Sequence, residues 1–217
     1  EPIQYVLGQA DFFGLKLEVD PAVLIPRQET EELVALVIEN NGRRFQGKIL
    51  DIGTGSGCIP IALKKQMPNA EITACDISEE ALKIAEFNAQ KYQLAVQFFI
   101  CDILSYERRN LLPNYDIIIS NPPYIPKKEA ILMPNQVKDH EPALALFVEN
   151  DDPLIFYRHI SRFAKDHLNS NGKLFFELNE YNATEVAQLA RDMGFKSVQV
   201  HQDLNGKERM LSAEKIE

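Results

Sequence analysis

From Lys48 onward, short apolar runs alternate with stretches of helical spacing, and the alternation repeats along most of the chain. Lys48-Ile49-Leu50-Asp51-Ile52 reads as a first buried strand, followed by a glycine run and a helix from about Cys58 to Lys65. Residues 71–75 give a second strand ending at Asp76, and Ser78 then caps a helix with Ala81, Leu82, Ala85 and Ala89 along one face. Val96 to Ile100 is a third strand, ending at Asp102, and Tyr115 to Ser120 is a fourth. A helix over roughly 151–168 carries Ile155, Ile160, Phe163 and Leu168 inward, and Asn171-Gly172 turns the chain into a fifth strand over 173–178. A further helix over 183–193 stops at Gly194. Ser197 to His201 and Glu208 to Ser212 close the series around Asn205-Gly206, a dipeptide that favours a hairpin and makes the last pair antiparallel.

Upstream, apolar residues come in patches around Gly8 and Gly14, and residues 3–19 predict a small β-hairpin. Pro21 and Pro26 stiffen an extended lead-in segment, and Thr30-Glu31-Glu32 gives a cap-like start to a helix carrying Leu33, Leu36 and Val37. The whole predicts an α/β fold, a doubly wound and mostly parallel seven-stranded sheet with an antiparallel last strand and an N-terminal β-hairpin. We expect residues 1–27 to form the hairpin and lead-in segment, and residues 28–217 one domain. The longest irregular stretch, about 121–150, is a candidate binding loop.

Composition narrows the function. A net charge of −9 argues against stable nucleic-acid binding, because the basic pairs Arg43-Arg44, Lys64-Lys65, Arg108-Arg109 and Lys127-Lys128 are short and scattered. Only Lys127-Lys128 lies where a substrate could feel it. No apolar run approaches a membrane span, so no membrane partner is expected. Cys58, Cys75 and Cys101 show no metal spacing and read as reduced buried thiols of a cytoplasmic protein. The four histidines form no metal pattern and no nucleophile–base pair.

The chemistry sits at strand ends. Gly53-Thr54-Gly55-Ser56-Gly57 lets the backbone turn tightly and approach a ligand, yet it matches neither the dinucleotide spacing nor a phosphate loop. Alone it could merely pack a helix on a strand. Asp76 can hold both hydroxyls of a ribose and Asp102 can meet an adenine amino group, although either could equally cap a turn. Together these features describe a nucleoside site that needs no phosphate, which suits S-adenosylmethionine.

The fourth strand ends in Asn121-Pro122-Pro123-Tyr124. Proline offers no N–H and stops the ladder. The Asn121 side-chain oxygen and the Pro122 carbonyl are therefore free to accept N–H groups, while the Tyr124 ring can stack on a flat acceptor. Gripping a planar nitrogen in this way directs its lone pair toward a methyl donor and favours the positive charge that develops. Asn121, Pro122 and Tyr124 are the candidate catalytic residues, and with Pro123 they form the candidate substrate grip.

On these residues the chain resembles the class I S-adenosylmethionine-dependent methyltransferases, and within them the release-factor glutamine methyltransferases (the HemK/PrmC family). The matching segments are Pro2 to Gly8, Phe13-Gly14-Leu15, Val23 to Glu31, Asp51 to Ile61, Asp76-Ile77-Ser78, Asn121 to Pro126, Glu141-Pro142, Asp203 to Gly206, and Arg209. Gln28 stands where the family has proline, the run from Phe147 to Leu154 replaces a glycine-rich one, and Glu177-Leu178-Asn179 replaces Glu-Ile-Gly. The resemblance implies a Rossmann-like methyltransferase fold. It also implies methylation of the glutamine side-chain amide in the Gly-Gly-Gln loop of peptide chain release factors, with S-adenosylhomocysteine as the other product. It assigns Gly53, Thr54, Gly55, Ser56, Gly57, Asp76, Asp102, Ile103 and Asn121 to the cofactor. The family's small helical domain would precede the hairpin. Because the chain opens on Glu1, a catalytic-domain piece without that helical domain is expected, and a monomer is expected as well. Two alternatives stay open, an adenine-amino methyltransferase acting on DNA or RNA and a cofactor-binding module without catalysis.

Overall fold

Seven strands form one sheet in the order β10-β11-β9-β6-β3-β4-β5, in a computed structural model that describes residues 1–105 and 112–216. They are β3 (Lys48–Ile52), β4 (Glu71–Asp76), β5 (Val96–Ile100), β6 (Tyr115–Ser120), β9 (Leu168–Glu177), β10 (Phe195–Gln202) and β11 (Glu208–Lys215). The pairs β3–β4, β3–β6, β4–β5 and β6–β9 are parallel, and β11 runs antiparallel to both β9 and β10. The predicted mostly parallel sheet with an antiparallel last strand is therefore observed.

The central strands are apolar on both faces because helices cover both. Leu50, Ile52, Ile118, Leu174 and Phe176 pack with Tyr157, Ile160 and Phe163 of α7 (Ile155–His167) and with Val186 and Ala190 of α8 (Ala183–Asp192). Their alternating neighbours Ile49, Ile117, Ile119 and Phe175 meet Leu33, Val34 and Val37 of α2 (Gln28–Asn41) and Ile59 to Leu63 of α3 (Cys58–Gln66). Helix α4 (Glu79–Lys91) is capped as expected, the Ser78 side chain accepting from the Ala81 N–H at 3.1 Å.

Several expectations need correction. Residues Ile3–Leu7 are a short helix, α1, not a strand. Pro2 and Tyr5 share its buried side, Gly8 ends it in a left-handed conformation, and the Tyr5 hydroxyl donates to the Val23 carbonyl at 2.6 Å. The hairpin is shorter, β1 (Gln9–Phe12) with β2 (Leu15–Glu18), and turns on Phe13-Gly14, both at positive φ. Helix α2 begins at Gln28, so Thr30 lies inside its first turn, buried, and does not cap it. Leu168 belongs to β9. Asn171-Gly172 lies within that strand at a break in register with β6, where Asn169 bridges to Asp116 at 2.7 Å. The stretch 121–150 is folded: β7 (Ile125–Pro126) pairs with β8 (Phe147–Val148), and a 3-10 turn and two short helices, α5 (Asn135–Lys138) and α6 (Ala143–Leu146), lie between them. The expectation for Arg108-Arg109 falls outside the described residues.

Gly57, at φ +79°, seats α3 on α4. A Cβ there would lie 3.0 Å from the Ala85 Cβ and 3.1 Å from the Ala85 Cα. At Gly206, φ +77°, an added Cβ would meet nothing within 4 Å among the described residues. Gly57→Ala should thus lose about 2 kcal/mol or more, from the left-handed penalty plus helix displacement, and Gly206→Ala only about 1 kcal/mol. Urea unfolding of the two variants measures the difference, and equal losses would contradict the packing role.

Candidate active site

Strand β3 feeds β4 on one side, whereas β6 returns to its other side, so the connections diverge between β3 and β6. Ligands of open α/β sheets bind at such a point, beyond the strands' C-terminal ends. A cavity of about 440 Å³ opens there, a size suited to a small-molecule ligand.

Its floor is the loop after β3. Gly53 and Gly55 sit at φ +76° and +53°, and each has open space where a Cβ would project. Thr54 and Ser56 also line the cavity, and their hydroxyls are buried with no hydrogen-bond partner among the described residues. Gly57 does not line it, because it is taken up by the α3–α4 contact.

Asp76 lines the wall with both oxygens engaged, Oδ2 accepting from Gly55 N–H at 2.8 Å and Oδ1 from Ser78 N–H at 3.0 Å. Those bonds hold the glycine loop against the next helix. Each carboxylate oxygen keeps a second lone pair for a ligand hydroxyl. Asp102 accepts from Leu104 N–H through Oδ1 at 2.9 Å and lines the far wall with Ile103. Both turn capping and ligand contact are thus open to the two aspartates.

Behind the floor lies Asp51, fully buried, with neither oxygen hydrogen-bonded among the described residues. Burial raises its pKa to about 7, the Asp76 charge adds to the rise, and the nearby Thr54 side chain opposes it.

The near wall comes from two segments distant in sequence. Glu141, buried, accepts from Ile25 N–H at 3.2 Å and pairs with the half-buried Arg27 guanidinium at 2.5 Å. This clamps the lead-in segment to the 121–150 loop, and Ile25, Pro26, Arg27 and Pro142 all line the cavity.

Asn121, Pro122 and Pro123 reach the cavity, one residue beyond the aligned ends of β3 and β6, where Ile52 pairs with Ser120. The Ser120 hydroxyl donates to the Ile52 carbonyl at 2.7 Å and fixes that junction. Tyr124 does not line the cavity. Its ring packs on the core, and its hydroxyl turns inward to donate to Glu177 Oε1 at 3.3 Å. Burial and the Glu177 charge push the Tyr124 pKa well up, so the hydroxyl keeps its proton.

Thr30, Asp51, Glu141 and Glu177 were not among the candidate site residues. Glu177 follows Leu174-Phe175-Phe176, and a carboxylate ending so apolar a strand carries the same signal as Asp76 and Asp102. Thr30 gives no such signal, since only folding brings it to Glu177.

The cavity residues fit a methionine-bearing nucleoside. Orphan hydroxyls and open glycines suit a charged amino-acid tail, the two strand-end carboxylates suit hydroxyl and amino groups, and Ile77, Ala81, Ile103 and Leu104 offer apolar walls to a flat ring. Residues 28–137 match the family described as "Methyltransferase small domain". The release factor glutamine methyltransferase of Flavobacterium psychrophilum is 44% identical over 97% of this chain and 74% of that protein. The corresponding protein of Bacteroides thetaiotaomicron is 45% identical over 98% and 76%. Among solved structures, the protein-(glutamine-N5) methyltransferase (release factor-specific) of Alicyclobacillus acidocaldarius superposes with a TM-score of 0.56. It is 28% identical, and the match covers 93% of this chain and 100% of that one.

Asp51 gives a testable pH effect. Between its usual 3.8 and about 7 the folded protein holds a proton that the unfolded chain releases, so stability falls as pH rises through that window. At pH 8 the buried charge costs on the order of a few kcal/mol. Asp51→Asn should therefore melt higher than the parent at pH 8, and the gap should close toward pH 5. Melting curves that stay parallel across this range would contradict the assignment.

Proposed function

The chain belongs to the release factor glutamine methyltransferases, and we propose on that basis that it methylates the side-chain amide of the glutamine in the Gly-Gly-Gln loop of a peptide chain release factor. The observation that carries the reading is the strand end Asn121-Pro122-Pro123, set into the wall of a nucleoside-sized cavity. S-adenosylmethionine, when bound, supplies an electrophilic methyl group on a sulfonium. The loop from Gly53 to Ser56, with Asp76, Asp102 and Ile103, would hold it.

An amide nitrogen is a weak nucleophile because its lone pair is delocalised into the carbonyl. Asn121 Oδ1 and the Pro122 carbonyl accept its two N–H bonds and so fix the amide plane, which leaves the lone pair, perpendicular to that plane, aimed at the donor methyl. The same two oxygens stabilise positive charge as it builds on nitrogen. The product nitrogen then loses its proton readily, so no strong base is needed. Tyr124 supports the grip from behind through its hydroxyl bond to Glu177.

The substrate is a protein in the cytoplasm, and the enzyme acts as a monomer. No described helix is long and apolar enough to cross a membrane. The scattered basic pairs and the net charge of −9 disfavour a nucleic acid as the acceptor.

Labelled methyl should pass from S-adenosylmethionine to a release factor, and not to the same factor with its loop glutamine replaced or to DNA or RNA offered alongside. Equal labelling of the two factors would sink the glutamine assignment. Asn121→Ala should lower kcat/KM for transfer by at least about a hundredfold while cofactor affinity changes far less. If affinity collapses in step with turnover, Asn121 is a cofactor ligand instead.

A further inference from the structure

Thr30 is 3% exposed and lies between the strand end and a buried carboxylate. Its hydroxyl donates to Glu177 Oε2 at 2.6 Å and accepts from Asn121 Nδ2 at 3.2 Å. The other oxygen of Glu177 accepts from the Tyr124 hydroxyl. Four residues from α2, β9 and the segment after β6 thus form one chain of hydrogen bonds, running from Asn121 and Thr30 in the cavity wall to Glu177 and Tyr124 behind it.

A hydroxyl has a single proton to donate. Thr30 gives its proton to a carboxylate, the strongest acceptor within reach, so toward Asn121 it can only accept. The amino half of the Asn121 side chain must then face Thr30, and the oxygen half must face away from it. An amide free to turn over would present N–H groups to the substrate's own N–H groups for part of the time. We propose that Thr30 and Glu177 are positioning residues that fix which end of the Asn121 amide faces the cavity, so that its oxygen meets the substrate nitrogen. The functional part of this proposal rests on the methyl-transfer reading above.

Glu177 also makes the arrangement dependent on pH. Burial raises its pKa to about 7 and the Glu29 charge adds to the rise, while Thr30, Tyr124 and the Arg209 charge oppose it. Tyr157 donates to the Glu177 backbone carbonyl from α7 and stays neutral, and Cys58 of α3, its pKa raised by burial to about 12, also stays neutral. Once protonated, Glu177 can donate to Thr30. The Thr30 proton then turns to Asn121 and selects its oxygen, which presents the wrong half to the substrate.

The test pairs a ligand-free measurement with a kinetic one. In protein carrying 15N-labelled asparagine, the Asn121 side-chain amide is assigned by its loss in Asn121→Asp, and its hydrogen exchange is followed at pH 8. Thr30→Val should speed that exchange by about tenfold or more, the loss of one hydrogen bond, and Thr30→Ser should restore it. With release factor as substrate, kcat for Thr30→Val should fall by at least about tenfold with cofactor affinity unchanged, and Thr30→Ser should stay near the parent. The parent's kcat should decline below pH 7, whereas Glu177→Gln, with no group to titrate there, should lose that decline.

Unchanged exchange in Thr30→Val would overturn the proposal, and so would full turnover despite rapid exchange, or a Thr30→Ser variant as impaired as Thr30→Val. Should Thr30→Val not fold, Thr30→Ala carries the same two comparisons. A parent enzyme that leaves the release factor unlabelled would defeat the functional reading alone, since the exchange data would still decide whether Thr30 orients the amide.

Discussion

Parallel registry at the middle of the sheet governs everything the site does. Ile52, Ser120 and Phe176 lie side by side on β3, β6 and β9, so β3 and β6 end together and β9 runs one residue further. The next residue on each is Gly53, Asn121 or Glu177, and all three are thereby delivered to one edge. Slipping β6 by a single residue would turn Asn121 to the opposite face and put Ser120 or Pro122 in its place at the edge. The Ser120 hydroxyl on the Ile52 carbonyl and the proline pair after Asn121 both act against such a slip.

Around that edge the fold accepts polar groups that a stability-driven core would exclude. Asp51 and Glu177 are buried carboxylates with raised pKa values, and the Thr54 and Ser56 hydroxyls are buried without hydrogen-bond partners among the described residues. Arg27 and Glu141, buried on the carboxylate side, close the wall between two segments far apart in sequence. Such a pair adds little net stability, but losing one partner would strand a buried charge. The core of aligned aliphatic strands carries these costs, and they concentrate where a ligand would bind.

The sheet was legible because its strands are long apolar runs and its helices carry ordinary caps. Ser78 and Gly194 mark ends correctly, and Asn205-Gly206 announces the final hairpin. Local rules failed where a tertiary partner decides. Ile3–Leu7 has the spacing of a strand, yet Pro2 and Tyr5 share one buried side of a helix, and Thr30 has the chemistry of a cap, yet it gives its hydroxyl to Glu177. Within the site, the loop from Gly53 to Ser56, the strand-end aspartates and the Asn121 turn were legible from position alone. The hydrogen bond from Tyr124 to Glu177 was not legible, because a sequence cannot show that a carboxylate waits behind the ring.

The central claim is that Asn121 and Pro122 present two oxygens to a planar nitrogen. A crystal structure with S-adenosylhomocysteine and a peptide carrying the Gly-Gly-Gln loop tests it most directly. The account predicts the glutamine amide nitrogen within about 2.7–3.2 Å of both Asn121 Oδ1 and the Pro122 carbonyl oxygen. A glutamine seated elsewhere in the cavity, or one facing the Asn121 amino group, would contradict it.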